Sequence, residues 1–169
     1  MTEDFLGRWL HVIGLVVYAG GTLSLIALVL PAARNAPTPQ LQRSFLASAL
    51  RIYDPLMIAA LGVVVISGAT NLTTYKDALR GEFFARMGWL LVWKLGLAFF
   101  VIMVGTYITF GLGHRIVRDE QLEEHANPAW LASMSRRLTW ASIFNLILMA
   151  ATVWLGLAMG HPAVVGKTS

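Results

Sequence analysis

Four long apolar runs dominate the chain, over residues 9–33, 55–72, 87–113 and 138–160. Each is near or above the roughly 20 residues that an α-helix needs to cross a hydrocarbon core of about 30 Å. Charged residues are rare inside the runs, whereas helices of a soluble bundle carry polar outer faces. The pattern predicts an all-α fold: one integral membrane domain over residues 1–169, a four-transmembrane-helix bundle with both termini on the same side.

Composition narrows the class further. Hydrophobic residues make up 57% of the chain and charged residues 13%, about half the charge of an average soluble domain. The absence of cysteine excludes a disulfide framework, a CxxC redox site and a Cys-ligated metal centre. The 13 Lys and Arg residues are spread along the chain without forming a nucleic-acid-binding stripe. The expected partner is the lipid bilayer, and no nucleic acid is expected.

The first connection, residues 34–53, opens with a proline-rich turn. Apolar residues then recur at helical spacing, which predicts a short amphipathic helix in the first loop, lying at the membrane surface. These residues are Leu41, Phe45, Ala49 and Ile52. The Asp54-Pro55 pair that follows is typical of a helix N-cap with proline at the first helical position, so the second membrane helix is predicted to begin there.

The other two connections differ in charge and length. Residues 73–86 are predicted to be a short polar loop, and residues 114–137 a soluble extension of the third helix, a turn at Asn127-Pro128 and the start of the fourth. Seven Arg residues lie in the first and third connections, against five Lys and Arg in the second connection and the two terminal segments. Because cytoplasmic loops carry an excess of positive charge, both termini are predicted to lie outside.

Four polar residues gather at the predicted outer end of the bundle. His11 and Lys94 lie in the first and third helices, and Asn71 and His161 close the second and fourth. An ionisable residue at membrane depth costs roughly 2.5–3.5 kcal/mol or more and is a functional hypothesis by default. A rise of about 1.5 Å per residue places His11 and Lys94 within about one turn of each other in depth. The pattern predicts a site near the outer leaflet.

Simpler interpretations remain open for each of these residues. A histidine near a helix end is often interfacial, and His161 beside Pro162 is typical of a plain helix end. Lys94 could extend to the lipid headgroups past two tryptophans. The first helix carries small residues around its histidine at heptad-like spacing, which permits close approach of another helix or leaves room for a flat macrocycle. These positions are Gly7, His11, Gly14, Tyr18 and Gly21.

The predicted inner faces of the other helices are small, polar and methionine-bearing, as bundle packing requires. In the fourth helix this face is Leu138, Ser142, Asn145, Met149, Thr152, Gly156 and Met159. In the second it is Met57, Ala60, Val64, Ser67 and Asn71, and in the third Lys94, Ala98, Val101, Gly105 and Thr109. A ligand-binding core would look similar, so these faces alone do not specify a cofactor.

Three segments resemble the CopD-like and HemJ-like membrane proteins. The first helix, RWLHVIGLVVYAGGTLSLIALVLPA, resembles their opening Leu-His pair followed by an aromatic and glycines. The third, WLLVWKLGLAFFVIMV, resembles their Trp-Leu…Lys-Leu segment, and the fourth, SRRLTWASIFNLILMAATVWLG, their closing helix. The resemblance implies a four-helix bundle in a bacterial-type inner membrane, with a polar site near one face. The side on which both termini are predicted from the charge count would then be the periplasm.

The resemblance also implies a function. HemJ-like members are haem-b-binding oxidases of protoporphyrinogen, whose functional His and Lys match His11 and Lys94, and CopD-like members are linked to copper handling. A further HemJ-like histidine, three turns after the lysine, has no counterpart among Val104, Gly105, Thr106 and Tyr107.

The main hypothesis is a haem-b redox protein, either a membrane oxidoreductase or an electron-transfer subunit. His11 is the expected axial ligand, with His161 as a further metal ligand and Gly14, Tyr18 and Asn71 beside the cofactor. Lys94 is expected to pair with a haem propionate or a quinone oxygen.

Two other functions remain open. Copper transport or resistance would use soft ligands, with a ladder of methionines at Met57, Met103, Met149 and Met159. A non-catalytic subunit of a larger respiratory or photosynthetic membrane complex would use the arginine-bearing connections as docking surfaces. His114 and His125 lie in the charged third connection, where both side chains are expected to be exposed to solvent.

Overall fold

The computed structural model describes residues 3–79, 83–122 and 127–159, and nearly all of them are helical. Helix α1 comprises Glu3–Ser24, a π-helical turn at Leu25–Val29 and a last turn at Leu30–Arg34. Helix α2 is Pro39–Leu79. Helix α3 comprises Phe83–Thr106, a π-helical segment at Tyr107–Gly113 and an extension at His114–Leu122. Helix α4 is Pro128–Met159.

Each helix contains a stretch long and apolar enough to cross a bilayer. These stretches are Phe5–Arg34, Pro39–Thr73, Gly88–Leu122 and Pro128–Ala158. Large apolar side chains cover the outside of the bundle, including Val16, Ile66, Trp89 and Trp154, which is the surface that lipid requires. The predicted all-α fold of four transmembrane helices is confirmed, and the chain is a multi-pass membrane protein.

Helix α2 begins earlier than predicted. Its N-cap is Thr38, whose hydroxyl accepts a hydrogen bond from the Leu41 amide at 3.2 Å, and Pro39 occupies the first helical position. The prediction that Asp54-Pro55 starts the helix is wrong, because Pro55 lies inside one continuous helix. Membrane helices tolerate an internal proline where neighbouring helices compensate for the lost hydrogen bond.

The predicted amphipathic segment is helical, but it is the first part of α2 and not a separate surface helix. Its inward side is formed by Leu46, Ala47 and Leu50, which have no exposed surface. The predicted apolar face points outward instead, with Phe45 43% and Ile52 74% exposed. The segment has apolar residues on both sides, and the packing of the α3 extension selects the leucine side.

The polar connections are also more helical than predicted. Helix α2 continues through residues 73–79, and α3 starts at Phe83, so most of the predicted 73–86 loop is helix. The third connection matches the prediction, since α3 extends as His114–Leu122 and α4 starts at Pro128. The side-chain oxygen of Asn127 accepts the Ala129 amide at 3.0 Å and caps α4.

The bundle is built from two helix pairs, α1 with α2 and α3 with α4. The predicted inner face of α4 is confirmed at Leu138, Ser142, Asn145 and Met149, all of them buried. At the arginine-bearing end the pairs share an apolar core containing Leu25, Leu46, Leu50, Leu112, Ile116 and Leu138. Two ion pairs join the first part of α2 to the α3 extension there, Arg43–Asp119 at 3.6 Å and Arg51–Glu120 at 2.6 Å.

Candidate functional site

The heptad-spaced face of α1 forms the contact with α2. A methyl group added to Gly7 would lie 3.2 Å from Asn71 Oδ1, and one added to Gly14 would lie 2.9 Å from Val64 Cγ2. A methyl group on Gly21 would collide with Met57. These glycines therefore bring the two backbones together, as small residues do between membrane helices.

His11 lies in this contact, with its half-buried ring against Gly68 of α2. Its Nδ1 is 3.0 Å from the carbonyl oxygen of Val64 and 3.1 Å from Ser67 Oγ. A carbonyl oxygen only accepts hydrogen bonds, so Nδ1 carries the hydrogen and donates it. The Ser67 hydroxyl donates to the Val63 carbonyl and accepts from His11. This arrangement leaves Nε2 with its lone pair, and Nε2 has no hydrogen bond within the described residues.

Lys94 approaches the same end of the bundle from α3. Its Nζ would lie 3.3 Å from a methyl group added to Gly156 of α4, so the absence of a side chain there makes room for the ammonium group. Among the side chains that the structure describes, Lys94 has no ion-pair partner. An unpaired ammonium group inside a membrane span favours an anionic ligand.

The remaining predicted site residues divide into three cases. Asn71 lies against Gly7, one turn of α1 from His11, so α1 and α2 bring Asn71 and His11 together. Gly14 packs against Val64, so the space beside it is filled by α2. His161 lies outside the described residues.

Tyr18 lies deeper in the bundle and joins the two helix pairs. Its hydroxyl accepts a hydrogen bond from Asn145 Nδ2 of α4 at 2.7 Å, and both residues are buried. The same hydroxyl rests on Gly105 of α3, where an added methyl group would lie 2.5 Å away. Tyr18 therefore contributes to helix association two turns away from His11.

Removing the Tyr18 hydroxyl is expected to weaken the bundle. In Tyr18→Phe the buried amide of Asn145 loses its partner, and interhelical hydrogen bonds in membranes are worth about 1 kcal/mol. We expect the free energy of unfolding in mixed micelles to fall by about 1 kcal/mol. The matched control is Tyr107→Phe, since Tyr107 is exposed on α3. An equal loss in both variants would contradict the role assigned to Tyr18.

The structure also shows polar groups that the sequence pattern did not identify. Asp54 is packed against Gly113 of α3, and its Oδ1 is buried without a hydrogen-bond partner. Next to it, Tyr53 and Tyr18 line a cavity of about 100 Å³ between α2 and α3. Because Asp54-Pro55 matches a helix N-cap, the sequence pattern did not identify Asp54 as a candidate site residue. An aspartate inside a long apolar helix is nevertheless a signal of function.

The predicted methionine ladder is not assembled by the described side chains. Met57 and Met149 are buried in the same cluster as Tyr18, but Met103 is 53% exposed on the outside of α3. The side chain of Met159 is not among those described. Within the described residues, no group of three His, Asp or Glu side chains could hold a metal ion.

No protein-family model, curated protein or solved structure matches the chain.

Proposed function

We propose that the protein binds haem b near one end of the bundle and acts as a membrane redox protein, with His11 as an axial ligand through Nε2. The observation that carries the proposal is the hydrogen bond from His11 Nδ1 to the Val64 carbonyl. Histidines that bind metals typically donate their other ring hydrogen to a carbonyl or carboxylate, which fixes the tautomer and the ring orientation.

Lys94 supports the proposal because its charge needs a counter-ion. A haem carries two propionates, and one of them would neutralise the ammonium group beside Gly156. Without such a partner, the charge on a membrane span costs roughly 2.5–3.5 kcal/mol or more. On this proposal Lys94 binds the cofactor through one of its propionates.

The space around His11 limits where the cofactor can lie. The α2 side of the ring is occupied by Val64, Ser67 and Gly68, so the face of the imidazole that remains is directed away from α2. The imidazole nitrogen of His11 is a suitable ligand for haem iron, which would supply one-electron transfer. Gly14 and Tyr18 then act in packing, and His161 stays the candidate for a second ligand.

The resemblance to CopD-like and HemJ-like proteins supports a location in a bacterial inner membrane. On this proposal the arginine-bearing end, with Arg34, Arg43 and Arg51, faces the cytoplasm, as the positive-inside rule requires. The termini and the His11 end then face the periplasm.

Haem and metal analysis of the purified protein tests the proposal. A pyridine-haemochrome assay and elemental analysis are expected to give about one haem b and one iron per chain, with copper well below one per chain. Stoichiometric copper without iron would support copper handling instead. A protein free of both, migrating with other membrane subunits after gentle extraction, would support an accessory role. Either result would overturn the haem proposal.

A further inference from the structure

The cavity between α2 and α3 lies about two turns from His11, near the middle of the 30-residue α1 span. Its inner wall contains Tyr18 and Gly105, and its outer edge contains Ile58 and Phe110, which are 45% and 60% exposed on the bundle surface. Because that surface is the one that lipid covers, the cavity opens sideways into the bilayer. A ligand would enter it from the membrane.

The hydroxyl groups of the cavity have hydrogen atoms available for an acceptor. The Tyr18 oxygen accepts from Asn145, and its own hydrogen has no acceptor among the described residues. The Thr22 hydroxyl donates its hydrogen to the Tyr18 carbonyl, so Tyr53 is the donor in the hydrogen bond of 3.5 Å between Tyr53 and Thr22 Oγ1. This bond is long and therefore weak, and an acceptor oxygen of a ligand would replace it. Two phenol groups in one cavity therefore favour a ligand with acceptor oxygens.

The α3 wall adds two more hydroxyl groups. Thr22, Thr139 and Thr152 donate to carbonyl groups four residues earlier in their own helices. Thr106 and Thr109, which line the cavity, make no such bond in the described structure. Thr109 lies in the π-helical segment Tyr107–Gly113, and π-helical segments occur frequently at functional sites.

We propose that this cavity binds the ring of a lipid-soluble quinone, with Tyr18 and Tyr53 donating hydrogen bonds to its carbonyl oxygens. A quinone ring is flat, carries acceptor oxygens at opposite ends and reaches the cavity through the bilayer. From the sequence, Lys94 is expected to pair with a haem propionate or a quinone oxygen, and the structure offers this cavity as a separate position for a quinone. The role as redox partner rests on the proposed function, whereas binding itself does not require haem.

Photocrosslinking with an azido-ubiquinone, in competition with decylubiquinone, tests the proposal on the purified protein. Crosslinks are expected in residues 53–61 and 105–110, and excess decylubiquinone is expected to suppress them. Loss of one donor is expected to weaken quinone binding about five- to tenfold in Tyr53→Phe, from the typical value of a hydrogen bond. The matched control is Tyr107→Phe, which removes a phenol hydroxyl on α3 outside the cavity.

Two further variants separate quinone binding from a folding defect and from haem binding. Thr109→Val tests the α3 wall without touching the Tyr18–Asn145 bond, so a folding defect in Tyr18→Phe does not affect the conclusion. His11→Ala is expected to crosslink as the wild type does, which separates quinone binding from haem binding. Crosslinks spread evenly over the lipid-facing surface would overturn the proposal. So would equal labelling in Tyr53→Phe, Thr109→Val and the wild type.

Discussion

His11→Ala is expected to yield a folded protein that retains less than about a tenth of the wild-type haem. The imidazole supplies the iron ligand, and the α1–α2 contact is otherwise maintained by Gly7, Gly14 and Gly21. Haem content per chain, from the Soret band and the pyridine-haemochrome assay, measures the effect.

The control for this variant is His114→Ala. His114 is exposed at the start of the α3 extension, at the other end of the bundle, and its loss is expected to leave haem content unchanged. Ser67→Ala is a second control, because the Val64 carbonyl still accepts the Nδ1 hydrogen at 3.0 Å. Equal haem content in His11→Ala and His114→Ala would exclude His11 as the ligand.

Gly14→Leu is expected to have the largest effect on stability. A methyl group alone would lie 2.9 Å from Val64 Cγ2, 3.2 Å from Val63 Cγ1 and 3.3 Å from the Ala60 carbonyl oxygen. β-branched side chains and backbone atoms move little, so α1 and α2 must separate. Overpacking typically costs about 1–3 kcal/mol and sometimes more, and we expect at least about 3 kcal/mol for leucine.

Gly20→Leu is the matched control for this substitution. No atom lies within 4 Å of a methyl group added to Gly20, and the position is exposed on the lipid side of α1. Its unfolding free energy in mixed micelles is expected to change by less than about 1 kcal/mol. Similar losses in both variants would show that the cost comes from replacing glycine in the helix and not from the α1–α2 contact.

The fold was predictable because lipid imposes a simple rule on the sequence. Long apolar runs with few charges have one stable arrangement in a bilayer, and spacing of three and four residues identifies inner faces, as Ser142, Asn145 and Met149 show. The heptad-spaced glycines of α1 likewise predicted a helix contact. The sequence does not tell whether Gly14 permits a helix contact or leaves room for a cofactor. The structure decides for the helix contact, because Val64 of α2 lies against Gly14.

The start of α2 was not predictable from local signals alone. Thr38-Pro39 and Asp54-Pro55 both match the pattern of a capping residue followed by proline, and only the first pair starts a helix. Leu46 and Leu50 pack against the α3 extension. This packing keeps the residues between the two proline-containing pairs in one helix. Tertiary contacts decided between two equivalent signals.

The site was only partly predictable for a related reason. Rare ionisable residues identified His11 and Lys94, and the structure places His11 against Gly68 of α2 and Lys94 against Gly156 of α4. The pattern does not reveal which ring nitrogen of His11 is free, since that depends on the Val64 carbonyl of another helix. It also does not reveal the cavity, whose hydroxyl groups come from α1, α2 and α3.

The central claim is that the imidazole of His11 itself holds the cofactor, and imidazole rescue of His11→Gly tests it most directly. The variant is titrated with haem b in the absence and in the presence of free imidazole, and the Soret band is recorded. We expect no haem binding without imidazole and a restored Soret band with it. A wild-type Soret band in His11→Gly without imidazole would contradict the claim.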